Sequence, residues 1–427
     1  SRQEIMELDS EFSDKIQVHV EAVLLPKAST ALADLKKRIE SFLTTRHASF
    51  SNGAVTIIED SFLSANLAAL RICDVDLDDR VPGGTVPVWQ AELHVHIVQL
   101  DTEGAADESD GDITSCQIWM LPSKDFDGLW ETLIYDMDVK RNLLDYAQTA
   151  MFFSDRQVDP NIIAWNRVVL LHGPPGTGKT SLCKALAHKL SIRMSERYRS
   201  GQLVEVNAHS LFSKWFSESG KLVNKLFDTI REFLDDEETF VCVLIDEVES
   251  LTAARQSALS GQEPSDAIRV VNALLTQIDK LKERHNCMVM TTSNITAAID
   301  LAFVDRADIK QYIGHPSTPA IYQILRSCIL ELMRVGIISP QEDLKDVSLV
   351  ASQQAASPAS PDNSIRLYHC ASQAQGFSGR FLRKLPFLAH SMFLRRKTAS
   401  MSMFCDALLK AIKAETSARS HESINGK

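Results

Sequence analysis

The strongest constraint on this chain is one continuous stretch. The apolar run Trp165-Asn-Arg-Val-Val-Leu-Leu171 leads into Gly173-Pro-Pro-Gly-Thr-Gly-Lys-Thr180, which in turn opens a helical pattern at Ser181-Leu-Cys-Lys-Ala-Leu. The run reads as a parallel strand buried on both faces. Glycines at the turn let backbone N–H groups approach an anion, and the following helix N-terminus faces it with the positive end of its dipole. The pattern G-x4-G-K-[ST] places Lys179 on the β/γ-phosphates of a nucleoside triphosphate and the Thr180 hydroxyl on Mg2+. Gly173, Pro174, Pro175, Gly176, Thr177, Gly178, Lys179, Thr180 and Ser181 are therefore the candidate contacts for ATP, with Mg2+ as the companion ion.

A second apolar run, Phe240-Val-Cys-Val-Leu-Ile245, ends in Asp246-Glu247. Ligands of open α/β sheets sit at the C-terminal strand ends, so a carboxylate pair there meets the phosphate loop. Asp246 can join the Mg2+ shell with Thr180, and Glu247 can polarise a water for in-line attack.

The remaining pattern supplies the architecture. Leu203-Val-Glu-Val206 and Met288-Val-Met-Thr-Thr292 read as further strands, separated by helical stretches long enough for crossovers. The expected fold is α/β: a parallel P-loop sheet between helices over residues 125–315, with a small helical domain over 316–427. A separate small α/β domain is expected over 1–100, because Ile16–Val20 and Leu93–Ile97 alternate with period two while Leu32, Leu35, Ile39, Phe42 and Leu43 recur at helical spacing. Residues 101–124 are expected to form an acidic linker and connector, with Asp101–Asp112 too charged to pack and read as a mobile loop or domain boundary. Asp127–Phe153 reads as mostly helical, and Ala351–Ser364 as a flexible insert.

Function classes narrow on charge and composition. A net charge of −11 over 427 residues argues against a chain that mainly coats nucleic acid or an anionic membrane. No apolar run approaches the ~20 residues of a membrane span and no signal-peptide pattern opens the sequence, so an intracellular protein is expected. The eight cysteines lack metal-binding spacing and read as reduced thiols. His94 and His96 share a strand face, but no third ligand is evident, and a partly covered strand face is the simpler account. Met392, Phe393, Met401, Met403 and Phe404 are expected in the core.

From roughly Asp125 to Ala414 these features resemble the AAA+ ATPases. The GPPGTGKT loop and the strand end Ile-Asp-Glu-Val-Glu are as in that family, and Thr292-Ser-Asn294 looks like its first sensor. By that resemblance Asn294 orients the attacking water. Arg306, in Asp305-Arg306-Ala-Asp308, matches the second arginine of the family's Arg-x-Gly-Arg-x-Asp segment, which reaches the neighbouring subunit's γ-phosphate. The first arginine and the glycine are missing here, and a surface ion pair with Asp305 or Asp308 is the alternative. Arg380, in Phe-Ser-Gly-Arg-Phe-Leu-Arg, resembles the second sensor. Trp215, with Phe216 beside it in Ser213-Lys-Trp-Phe-Ser-Glu-Ser-Gly220, matches the substrate-gripping pore loop of AAA+ unfoldases; packing of both rings under the loop is the alternative.

Within AAA+ proteins, the KWFSESGK loop and the single-arginine segment VDRADIKQYIG are similar to those of the pachytene checkpoint (thyroid hormone receptor interactor thirteen) family. That resemblance implies an ATP-driven homo-hexamer that locally unfolds HORMA-domain proteins, converting closed to open forms. It would act in spindle checkpoint control and on meiotic chromosome axes, with a HORMA-like adaptor, in nucleus and cytoplasm and at chromosomes and kinetochores. No direct nucleic-acid or membrane partner is implied. A nucleotide-dependent scaffold that barely hydrolyses ATP is disfavoured by an intact Glu247. A DNA-directed loader is disfavoured by the acidic balance and the aromatic loop.

Overall fold

The structure is a computed structural model that describes residues 15–28, 30–57, 59–75, 84–110, 113–136, 138–208, 219–250, 266–294, 301–351 and 362–425. The N-terminal unit is a sheet ordered β3-β4-β1-β6, in which β1 (Ile16–Leu24) runs antiparallel to β4 (Leu67–Cys73) and parallel to β6 (Ala91–Val98), with β3 (Gly53–Ala54) at the edge. Helices α1 (Leu32–Arg46) and α2 (Ser61–Asn66) and the short pair β2 (Ser49–Ser51) and β5 (Thr85–Pro87) complete it. Alternation decides the packing. Val18, Val20 and Ala22 turn into a core with Leu35, Ile39 and Leu43 of α1, while His19 and Glu21 turn to the opposite face.

The central layer is a seven-stranded sheet ordered β13-β9-β12-β11-β10-β8-β7. Strands β9 (Val168–His172), β10 (Ser200–Asn207), β11 (Thr239–Asp246), β12 (Cys287–Ser293) and β13 (Ile309–Tyr312) are parallel, as the βαβ pattern predicts. The edge departs from expectation. Within the stretch read as a mobile loop or domain boundary, Ala106–Asp110 forms a strand, β7, antiparallel to β8 (Ile113–Leu121), and β8 pairs antiparallel with β10. An acidic strand at the open edge is consistent with how charge blunts edge-to-edge association.

Both sheet faces are covered. Val241, Val243 and Ile245 of β11 face α6 (Ser219–Leu234) and α7 (Asp266–Leu281), through residues such as Phe227, Ile230, Leu274 and Ile278. Phe240, Cys242 and Leu244 face the other layer, α4 (Val139–Asp155) and α5 (Lys179–Arg193), through Leu143, Ala147, Leu182 and Leu186. A short helix, α3 (Leu129–Thr132), precedes α4, and α8 (Leu301–Val304) precedes β13.

The C-terminal unit packs α9 (Thr318–Arg334), α10 (Val347–Ala351), α11 (Asn363–Gln373), α12 (Gly379–Ala389) and α13 (Met401–Asn425) around Tyr322, Leu325, Leu367, Leu385 and Phe404. Of the expected flexible insert Ala351–Ser364, residues 352–361 lie outside the described residues, while Ala351 ends α10 and Asn363 and Ser364 open α11. Asp362 accepts a hydrogen bond from the Ser364 N–H and caps α11, and Ser364 is buried. Of the five Met and Phe residues expected in this core, Met401 and Phe404 are buried and Phe393 packs against it, but Met392 and Met403 are exposed. Seven cysteines are buried and Cys328 is half-buried, all of them free. No helix among the described residues is long and apolar enough to cross a membrane.

Candidate nucleotide site

Because β9, β11 and β12 run parallel, their C-terminal ends bring three separate motifs to one sheet edge. The loop after β9 turns into α5 through Gly173 and Gly178. At Gly173, where φ is +144°, an added Cβ would lie 2.1 Å from the Ile313 carbonyl oxygen. At Gly178, with φ of +94°, it would lie 2.8 Å from the Tyr135 hydroxyl. Gly173 N–H donates to the Ser293 carbonyl at 3.2 Å, which fastens the loop to the end of β12.

The loop's side chains suit a phosphate chain. Lys179 is 4% exposed, and its ammonium donates to the carbonyls of Gly173 and Pro174, both at 2.9 Å. Burial pulls its pKa down, and nearby Arg380 pulls in the same direction, against Glu249 and Asp246. A buried cation held by loop carbonyls at a helix N-terminus fits an incoming polyphosphate. The Thr180 hydroxyl lies 2.9 and 3.1 Å from the two carboxylate oxygens of Asp246, so Thr180 and Asp246 would hold Mg2+. Bound there, the ion would supply positive charge to neutralise the phosphate chain.

Glu247 follows Asp246 in a left-handed backbone conformation, with φ of +61°. Asn294 follows β12 at the same edge and is half-buried. The small helical unit closes over the loop: Ser378 caps α12, and Arg380 N–H donates to the Gly176 carbonyl at 3.0 Å. Arg380 is thus brought near Lys179. Arg383 also reaches the Thr132 carbonyl.

The ion pair that Arg306 makes within its own chain is not the one the sequence suggests as the alternative to a trans finger. The Arg306 guanidinium forms a two-pronged ion pair with Asp279 of α7 (2.9 and 2.7 Å) and donates to the Ala302 carbonyl at 2.7 Å. Neither Asp305 nor Asp308 is the partner in that pair. Asp308 instead accepts from the backbone N–H groups of Asn166 and Arg167, both at 2.8 Å, and from the Tyr146 hydroxyl at 2.6 Å, anchoring the entry to β9. Trp215 and Phe216 lie outside the described residues.

Three residues have contacts at the site that the sequence reading assigns to none of them. Tyr135 donates to the Gly178 carbonyl at 3.1 Å, Ser378 sits against Gly176, and Thr292 touches both Asp246 and Glu247. Three consecutive hydroxyl residues, Thr291-Thr292-Ser293, closing a buried strand are the available signal for Thr292.

The far end of α5 meets the N-terminal sheet. Lys189, 2% exposed, pairs with Glu21 at 2.6 Å, Asp74 at 3.2 Å and Glu131 at 3.3 Å, and Arg193 pairs with Asp74. Burial drives Glu21 and Asp74 upward in pKa, and the surrounding carboxylates keep Lys189 protonated. Beside this network lies a cavity of about 340 Å³ lined in part by Arg71, Asp74, Trp130 and Lys140. On the same sheet face, His19 joins His94 and His96. His19 Nδ1 lies 3.1 Å from His96 Nε2, and burial lowers the His96 pKa to about 4.

Comparison with known proteins agrees with this three-part architecture. Residues 13–103 match the TRIP13 N-terminal domain, 169–315 the ATPase family associated with various cellular activities (AAA), and 317–416 the TRIP13-like, AAA+ ATPase lid C-terminal domain. The pachytene checkpoint protein 2 homolog of Oryza sativa subsp. indica is 51% identical over 418 residues, covering 95% of this chain and 88% of the relative. That of Mus musculus is 49% identical over 399 residues, covering 92% of each. The solved structure of C. elegans PCH-2 superposes with a TM-score of 0.75 at 36% identity, covering 94% of this chain and 99% of that one. A chain of the E. coli MS115-1 HORMA:CdnC:Trip13 complex shares the fold, with a TM-score of 0.52 at 17% identity over 70% of this chain and 94% of that one. This chain belongs to the pachytene checkpoint protein 2 (TRIP13-like) family and is an AAA+ ATPase.

Proposed function

We propose that this ATPase works as a homo-hexamer that locally unfolds HORMA-domain proteins, converting closed forms to open ones in spindle checkpoint control and at meiotic chromosome axes. The observation that carries the reading is the course of α5. Its first residue, Lys179, lies in the phosphate loop, and its last turns, at Lys189 and Arg193, are gripped by Glu21 and Asp74 of the N-terminal unit. Nucleotide state and the substrate-receiving domain are therefore joined through one rigid helix. The HORMA:CdnC:Trip13 complex supports HORMA-domain proteins as the substrate class.

In this account Lys179 and Arg380 bind and orient the triphosphate, Thr180 and Asp246 fix Mg2+, and Glu247 takes a proton from the attacking water that Asn294 orients. Arg306 of one subunit completes the neighbour's site. Trp215 and Phe216 grip an extended segment of substrate, which a HORMA-like adaptor delivers to the N-terminal domain. The protein works in nucleus and cytoplasm, at chromosomes and kinetochores, without directly binding nucleic acid or membrane.

The test is hydrogen exchange of a closed HORMA-domain protein incubated with its adaptor, ATP and this enzyme. Local loss of protection that requires ATP and disappears in Trp215→Ala is expected. Unchanged protection with active ATP turnover would overturn the assignment of substrate.

A further inference from the structure

We infer that Thr292 is a positioning residue for ATP hydrolysis, holding the metal-site carboxylate and the backbone of the general base with one hydroxyl. The inference rests on the assignment of Asp246 and Glu247 given above.

Thr292 lies near the end of β12, beside the end of β11, where Ile245 pairs with Thr291. It is 1% exposed, so water does not compete for its side chain. Its hydroxyl donates to Asp246 Oδ1 and accepts the Glu247 N–H at 3.3 Å. Its carbonyl accepts the next N–H, that of Val248, at 2.9 Å. A hydroxyl has one proton to give and lone pairs to receive, so both side-chain contacts are satisfied together.

This arrangement accounts for the conformation of Glu247. A glutamate at φ of +61° occupies a region that L-residues with a Cβ disfavour. Two consecutive N–H groups, those of Glu247 and Val248, are tied to Thr292 and hold it there. The same hydroxyl fixes one oxygen of Asp246, leaving Thr180 the neighbour of both carboxylate oxygens. Thr292 touches no reacting atom. It acts through Asp246 and Glu247, in the way that outer partners orient metal ligands.

Thr292→Val keeps the β-branched shape while removing the hydroxyl. Outer partners of this kind typically cost about 10- to 100-fold in activity when removed. The expected result is a fall in kcat of that size, with KM for ATP and binding of a fluorescent ATP analogue changed by less than about threefold, and a higher Mg2+ concentration for half-maximal turnover. Thr292→Ser should recover most of the lost kcat. If the valine variant loses its melting transition, Thr292→Ala, which retains strand backbone and adds no bulk, serves the same kcat-against-KM comparison.

Wild-type kcat in the variant lacking the hydroxyl, or equal loss in the valine and serine variants, would overturn the inference. Glu247→Gln, measured in parallel, separates this from the underlying site assignment. Retained turnover in Glu247→Gln removes the general base and the role of Thr292 with it. Lost turnover there with full activity in Thr292→Val removes Thr292 alone.

Discussion

Arg306 and Asp279 are locked in a two-pronged ion pair within one subunit, with contacts of 2.9 and 2.7 Å. The arginine proposed to complete a neighbour's site therefore has a partner of its own, and service in trans must either use the outer face of the guanidinium or break the pair. Arg306→Ala and Glu247→Gln subunits, each inactive alone, should recover ATP turnover when mixed. One interface type in such rings combines an intact Glu247 with an intact Arg306 from the next subunit. Absence of recovery in co-assembled rings would place the role of Arg306 inside its own subunit.

Gly173 should tolerate no side chain. A Cβ would meet the Ile313 carbonyl oxygen at 2.1 Å, and the oxygen belongs to backbone that is itself held by the Ile313 N–H to His172 carbonyl bond at 2.8 Å. Gly173→Ala is expected to abolish binding of a fluorescent ATP analogue and to lower the melting temperature. Wild-type binding in that variant would show that the loop relaxes freely, contrary to its packing.

Lys189 offers a stability test of the joint between domains. Removing one partner from a buried ion cluster leaves uncompensated charge and typically costs about 3–5 kcal/mol. Lys189→Met should lose stability on that scale by denaturant titration, with the N-terminal sheet losing hydrogen-exchange protection first. Loss confined to the helical C-terminal unit would contradict the placement of the network.

Acid should weaken the fold through His188. Burial lowers its pKa to about 4, and its Nδ1 accepts the Ser123 N–H at 3.3 Å. The unfolded chain takes up a proton near pH ~6.5 while the folded chain stays neutral, so stability falls as pH drops from that value toward 4. At pH 5 the loss from this residue is about 2 kcal/mol. His96, lowered by burial to about 4, acts in the same direction. His188→Asn should make the decline in melting temperature between pH 7 and 5 shallower; an identical decline would exclude His188 as a contributor.

Residues governed by local rules were legible in the sequence, and those governed by tertiary neighbours were not. The glycine spacing before Lys179 and the apolar strand before Asp246 report their own geometry, because the loop and strand end are each set by a few adjacent residues. The pairing of Arg306 with Asp279 joins the turn after α8 to α7, and nothing in the segment Asp305–Asp308 signals it. Glu21 lies just beyond the alternating run Ile16–Val20, and nothing local signals that the end of α5 buries it. Ala106–Asp110 is masked by its composition: charge argues against burial, but an edge strand needs only a paired backbone and tolerates charged side chains. Thr292 was read as one letter of a sensor motif, while its contacts depend on the register of β12 against β11.

The most direct test of the account is ATP turnover by the wild type and Glu247→Gln, with ATP-analogue binding measured on the same preparations. The account predicts normal binding in both and turnover only in the wild type. Equal turnover would contradict it, because the carboxylate at the end of β11 would then have no part in activating water.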